Sequence, residues 1–135
     1  MLPGVKDRTN AHEKKGVVYK LKCKDCDVTY VGQTGQCLKT RIYRHMLALK
    51  NADVEHYPLV GHALQNNHSI QWDDIEILAS ESILTKRLLM ESFLMTKENT
   101  PVNRQNGVTH SPILEWLLKG VKLKNPEKVS FDFRF

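Results

Sequence analysis

Arg41 and His45 stand four residues apart, a spacing that places both on one face of a helix. Arg offers a planar fork of donors matched to phosphate oxygens, and His exchanges a proton near neutral pH, so this face suits a phosphate. The competing reading is a solvated helix flank. Glu91 is a second unusual position. Leu84, Leu88 and Met95 share one helical stripe, and the i+7 position of that stripe is Glu91, an acid where a heptad places another apolar side chain. A partly buried carboxylate must be paired, protonated or bound to a metal, and the simplest alternative is an ion pair with Arg87, four residues earlier. Cys23 and Cys26 form a close pair, which in a reducing compartment is more often a metal site than a disulfide. Cys37 stands apart and reads as a small residue at a helix start.

Elements around these residues must hold them. Val17, Tyr19 and Leu21 alternate with Val18, Lys20 and Lys22, and Val28, Tyr30 and Gly32 alternate with Thr29 and Val31, which predicts a β-hairpin with the two cysteines in its turn. After a turn at Gly32-Gln-Thr-Gly35, the recurrence of Leu38, Ile42, Met46 and Leu49 predicts a helix over 36–50. Pro58 opens a short second helix through Leu59, Val60, Ala63 and Leu64 that fades at Asn66-Asn67. A third strand is expected over 72–79. The longest helix should run from Glu81 to about Lys97 with Pro101 closing it, and a last helix should begin at Pro112. The segment 131–135 adds at most a short strand. The expectation is an α/β domain over 16–120, with a short, mainly antiparallel three-stranded sheet flanked by helices. A loose segment at 1–15 and a tail at 121–135 border it.

A chain of 135 residues, 41% hydrophobic and 26% charged, has the composition of one globular domain. No apolar run approaches the roughly 18 residues of a membrane span, and the first residues lack the apolar stretch of a signal peptide. An intracellular protein without a membrane partner is therefore expected. The net charge of +5 favours an anionic partner. Lys20, Lys22 and Lys24 on the hairpin, Lys39 and Arg44 on the first helix, and Lys86, Arg87, Lys97 and Arg104 beyond suit a DNA backbone track, which fixes position without reading sequence.

Val17-Val18-Tyr19 followed by Tyr30-Val31-Gly32, then Arg41, His45, Glu91 and Asn103 in that order, resembles the GIY-YIG nuclease family. The likeness runs from about residue 16 to 107; Val17 and Val18 stand where the family's first motif has Gly and Ile. The Cys-x-x-Cys inside the hairpin and the later His62-x5-His68 resemble, more closely, the endonuclease domain of Penelope-like retroelements. This resemblance implies phosphodiester hydrolysis of DNA, nicking for element insertion, in the nucleus, with a reverse transcriptase domain and RNA as further partners in a full-length element. It implies Glu91 as ligand of Mg²⁺ or Mn²⁺, a hard cation that prefers oxygen. Tyr19 would position or deprotonate the attacking water, Tyr30 would bond the phosphate or that water, Arg41 would clamp the phosphate, His45 would assist proton transfer, and Asn103 would orient a neighbour.

Cys23, Cys26, His62 and His68 have spacings compatible with a tetrahedral S₂N₂ zinc site, which with four protein ligands is structural. His56 is an alternative ligand, and a pair of reduced thiols with two surface histidines is the bland reading. The rival functional class is a non-catalytic, zinc-stabilised nucleic-acid-binding module in which the tyrosines pack and Glu91 pairs with Arg87.

Overall fold

The computed structural model describes residues 11–98, 101–102 and 126–131. A single helical turn at Ala11–Glu13 leads into strand β1 (Lys15–Lys22), β2 (Thr29–Cys37), helix α1 (Leu38–Lys50), α2 (Pro58–Asn66), β3 (Ile75–Ser80), α3 (Leu84–Thr96) and β4 (Glu127–Val129). The α/β class of the sequence reading holds, but the sheet has four strands rather than three. All pairings are antiparallel and the order is β2-β1-β3-β4. The fourth strand comes from the segment read as a tail. Val129 pairs with Ile75, and Val129 and Phe131 are buried among the main core residues. One apolar side chain in a three-residue strand, with Phe131 two residues beyond it, is too short a pattern to register as period-two alternation. The helix predicted from Pro112 and the segment 132–135 lie outside the described residues.

Alternation along β1 assigns the two sheet faces. Val17, Tyr19 and Leu21 join Leu38 and Ile42 of α1 and Leu59 and Ala63 of α2 in one core; Val18 joins Val31 of β2 and Met90 and Leu94 of α3 in another. Helices thus cover both faces. Gly16 lets the start of β1, where the register to β2 shifts, lie against the backbone that follows β3. Its φ is +63°, and a Cβ there would lie 2.7 Å from the Glu81 carbonyl oxygen, which only glycine avoids.

The buried stripe of α3 is Arg87, Met90 and Leu94, whereas Leu84 and Leu88 are exposed. The sequence stripe Leu84, Leu88, Glu91 and Met95 therefore faces the wrong way by about one residue. The cause is Arg87: its guanidinium is buried, with Nε donating to Gln33 Oε1 at 2.7 Å and Nη1 donating to the carbonyls of Glu81 at 3.1 Å and Ser82 at 3.2 Å. A charge so well supplied with acceptors is tolerated inside, and a pattern count that treats Arg as polar misses it.

Candidate hydrolytic cluster and metal group

Tyr19, Tyr30, Arg41 and His45 converge on one side of the sheet. Strand pairing sets Tyr19 opposite Gly32, and an added Cβ at Gly32 would sit 2.6 Å from the Tyr19 hydroxyl and 2.7 Å from Tyr30 Cε1. The bare backbone of Gly32 is the floor on which both phenols lie. The alternation Val28, Tyr30, Gly32 puts it on the strand face of Tyr30, but its contact with Tyr19 depends on the pairing of β1 with β2. The Tyr19 hydroxyl lies 2.8 Å from His45 Nε2, and Arg41 Nε donates to the Tyr19 oxygen at 3.2 Å. The Tyr19 oxygen thus links the guanidinium to the imidazole.

His45 is enclosed by aromatic rings. Its centroid is 5.9 Å from that of Tyr19, 5.3 Å from Tyr30 and 5.1 Å from Tyr57, all near-perpendicular edge contacts. Burial, reinforced by the Arg41 charge, lowers its pKa to about 3, so it is a neutral imidazole. His45 is only 1% exposed, and Nδ1 has no hydrogen-bond partner among the described residues. At neutral pH the ring is therefore an uncharged hydrogen-bond partner of Tyr19.

The two tyrosines differ. Tyr19 is fully buried, and burial, then the neighbouring Tyr30, raises its pKa well above the ordinary phenol value despite the Arg41 charge. Tyr30 is partly exposed; its pKa is also raised by burial, with Arg41 opposing. Burial works to lower the pKa of Arg41, but the two phenols beside it outweigh that and the guanidinium is more firmly charged than usual. Glu91, half-buried on α3, has its pKa raised by burial, while Arg41 and a hydrogen bond from the backbone of Gln33 oppose the shift. Glu91 therefore shares an electrostatic neighbourhood with Arg41, Tyr19 and Tyr30. The alternative ion pair with Arg87 is displaced, since that guanidinium is already engaged by Gln33 and two carbonyls. Asn103 and Arg104 lie outside the described residues; the segment before them is placed by Val102, whose N–H donates to the Thr29 carbonyl at 2.8 Å.

The second group sits at the hairpin tip. Cys23 N–H donates to the Val28 carbonyl at 2.9 Å, closing the turn that carries Cys26. After α2 the chain reverses at Asn67, which adopts the left-handed conformation with φ 55°. The returning strand-like segment bonds to the tip through Lys24 N–H to the Ser69 carbonyl at 2.7 Å and Gln71 N–H to the Lys22 carbonyl at 2.8 Å. His68 is thereby carried back to the cysteines. Cys23 Sγ is 3.5 Å from His68 Nδ1, Cys26 Sγ is 3.3 Å from His62 Nε2, and the two imidazole nitrogens are 3.3 Å apart. Tetrahedral zinc with its usual bond lengths separates sulfur from nitrogen by about 3.6 Å and nitrogen from nitrogen by about 3.3 Å.

Cys23, Cys26, His62 and His68 thus form a Cys₂His₂ group that could hold a metal ion such as zinc, all four ligand atoms lying within 4.8 Å of one another. Burial, then the neighbouring His68, lowers the His62 pKa and keeps that ring neutral as a ligand must be; burial raises the Cys23 thiol, so binding a metal there releases a proton. His56 is not part of this group; it is exposed and faces Asp53 at 3.2 Å. Cys37 Sγ donates to the His12 carbonyl at 3.2 Å.

Lys20 and Lys22 point to the sheet face opposite Tyr19, because side chains alternate, and both are paired there: Lys20 with Glu98 at 2.9 Å and Glu76 at 3.6 Å, Lys22 with Asp74 at 3.0 Å and Glu76 at 3.4 Å. Lys39 and Arg44 are exposed on α1, the helix that carries Arg41. Among the described residues no helix is long and apolar enough to cross a membrane. Comparison with protein-family models, with curated proteins and with solved structures returns no match to this chain.

Proposed function

We propose that this chain is a divalent-cation-dependent DNA endonuclease of the GIY-YIG type, related to the endonuclease domains of Penelope-like retroelements and nicking DNA in the nucleus. The observation that carries the reading is the convergence of two phenols and a guanidinium from β1, β2 and α1 around a glycine floor, with the half-buried Glu91 carboxylate of α3 within electrostatic reach of them. A packing role alone gives no reason to gather Arg41 and Glu91 beside two phenols. Glu91 fits Mg²⁺ or Mn²⁺: its carboxylate is a hard oxygen donor whose proton is retained more firmly than usual by burial, a cost that a cation removes. A cation held there supplies charge neutralisation for the scissile phosphate and its leaving oxygen.

The remaining chemistry belongs to the chain. Arg41 receives a non-bridging phosphate oxygen, its charge fixed by the phenols. Tyr30, the more accessible phenol, orients the attacking water, and Tyr19 with His45 behind it aims Arg41. His45 is thus a positioning residue in this reading. Lys39 and Arg44 contact the DNA backbone, and zinc in the Cys₂His₂ group pins the hairpin to α2.

The test is cleavage of supercoiled plasmid in Mg²⁺ or Mn²⁺ by the protein and by Glu91→Gln. Metal-dependent nicking by the first and its loss in a folded second supports the proposal. If neither cleaves but both retard DNA in gels, the zinc-stabilised binding module is the better reading.

A further inference from the structure

Tyr57 was not marked by any sequence pattern, yet it touches the proposed cluster at two points. Its ring meets the edge of His45 with centroids 5.1 Å apart and an interplanar angle of 79°, and the Arg41 guanidinium carbon lies 5.7 Å from its centroid. The ring face is electron-rich and attracts the cation. Tyr57 is also the residue from which α2 starts: its carbonyl accepts the Gly61 N–H at 3.1 Å, closing the first turn, and Pro58 fixes the backbone beside it. One turn further along the same helix is His62, a member of the Cys₂His₂ group.

We infer that Tyr57 is a positioning residue for Arg41 and His45, and that α2 transmits to it the state of the Cys₂His₂ group. This rests on the hydrolytic reading of the Tyr19 cluster. A helix of nine residues is far below the length that is stable alone, so its placement depends on what holds it. Leu59, Val60 and Ala63 are buried and hold the middle. The C-terminal half is tied by His62 and His68 to cysteines on the hairpin. Beside the first turn, an open cleft of about 330 Å³ lined by Val54, Pro58, Gly61 and Val102 leaves room for that turn to move. Residues 51–56, which lead into Tyr57, include five exposed side chains and no buried one. Loss of the metal would therefore release His62 and let the ring drift from Arg41.

The experiment compares zinc-loaded wild type, Tyr57→Phe and Tyr57→Leu, reading plasmid nicking and the imidazole NMR signals of His45. Tyr57→Leu is expected to lower kcat about tenfold with KM for DNA within about twofold, because a cation–ring contact is lost while the phosphate contacts stay. Tyr57→Phe keeps the ring face and is expected to restore most of that loss. The His45 signals should shift in Tyr57→Leu, and stripping zinc from wild type with a chelator, in the absence of Mg²⁺, should shift them the same way. Chelation of Tyr57→Leu should then add little. Wild-type kcat in Tyr57→Leu would overturn the positioning role, and His45 signals indifferent to zinc removal would overturn the coupling. If wild type does not cleave, the hydrolytic reading fails, and the NMR arms alone decide whether Tyr57 connects the two groups.

Discussion

The Tyr19 hydroxyl lies 2.8 Å from Nε2 of a His45 ring that is almost wholly buried. The fold therefore binds neutral histidine, with a pKa of about 3, in preference to imidazolium. Between that value and the ordinary unfolded value near 6.5, the unfolded chain binds the proton and the folded chain does not, so stability rises with pH across this window. It is fully present above about 6.5 and is lost as pH falls towards 3. Thermal denaturation of wild type and His45→Gln from pH 7 to 4 should show a steeper decline in wild type, by up to about 1.4 kcal/mol per pH unit for the single proton. Parallel curves would mean that His45 is not the group responsible.

Gly32→Ala should damage both phenols at once. The new Cβ would fall 2.6 Å from the Tyr19 hydroxyl and 2.7 Å from Tyr30 Cε1, and neither ring is free to retreat because His45 backs them. Overpacking of this kind costs about 1–3 kcal/mol. Denaturant titration checks the stability, and nicking should fall further than the stability loss explains, since Arg41 is aimed by the Tyr19 oxygen.

Residue order and period made the hairpin, the three helices within the described residues and β3 legible, because each has a repeating apolar pattern of several members. The four zinc-group positions were also legible, as spaced Cys and His pairs. What stayed hidden depends on tertiary partners. Arg87 reads as solvent-facing until Gln33 and two carbonyls are seen around it, and that error rotated the α3 stripe. The acidic partners of Lys20 and Lys22, namely Asp74, Glu76 and Glu98, are likewise brought to them by the fold and not by local sequence. Tyr57 belongs to a loop with no period at all, and its role exists only where α1 and α2 meet.

Zinc should bind at one ion per chain and raise the melting temperature, since a ligand that binds only the folded state stabilises it by mass action. Cys23→Ser with Cys26→Ser removes both thiolates and should abolish this increment, seen as loss of zinc in metal analysis and of the chelator-sensitive part of the melting temperature. Retention of a full zinc equivalent by the double variant would place the metal elsewhere.

Arg87→Met should cost about 3 kcal/mol or more. The methionine fills much of the space, but the Gln33 amide and the carbonyls of Glu81 and Ser82 lose their donor, and buried polar groups left unpaired cost about 1–3 kcal/mol each where water does not replace the partner. Arg87→Lys should recover only part, because one ammonium does not reproduce the fork that reaches Gln33 and two carbonyls together. Urea denaturation of the three proteins gives the ordering wild type, Lys, Met; equal midpoints would show that water satisfies the site.

Tyr19→Phe and Tyr30→Phe should separate the two phenols. Removing the buried Tyr19 hydroxyl leaves His45 Nε2 and Arg41 Nε without their shared partner, so Tyr19→Phe is expected to lose about 1–3 kcal/mol of stability as well as cleavage. Tyr30 is partly exposed, where water can replace a lost bond, so Tyr30→Phe should be closer to wild type in stability while losing cleavage by about a hundredfold, the range set by removing one positioned proton-handling group. Paired measurements of melting temperature and nicking rate decide it. If Tyr30→Phe cleaves normally while a fully folded Tyr19→Phe does not, the water is oriented by Tyr19 and the buried hydroxyl must become accessible when DNA binds.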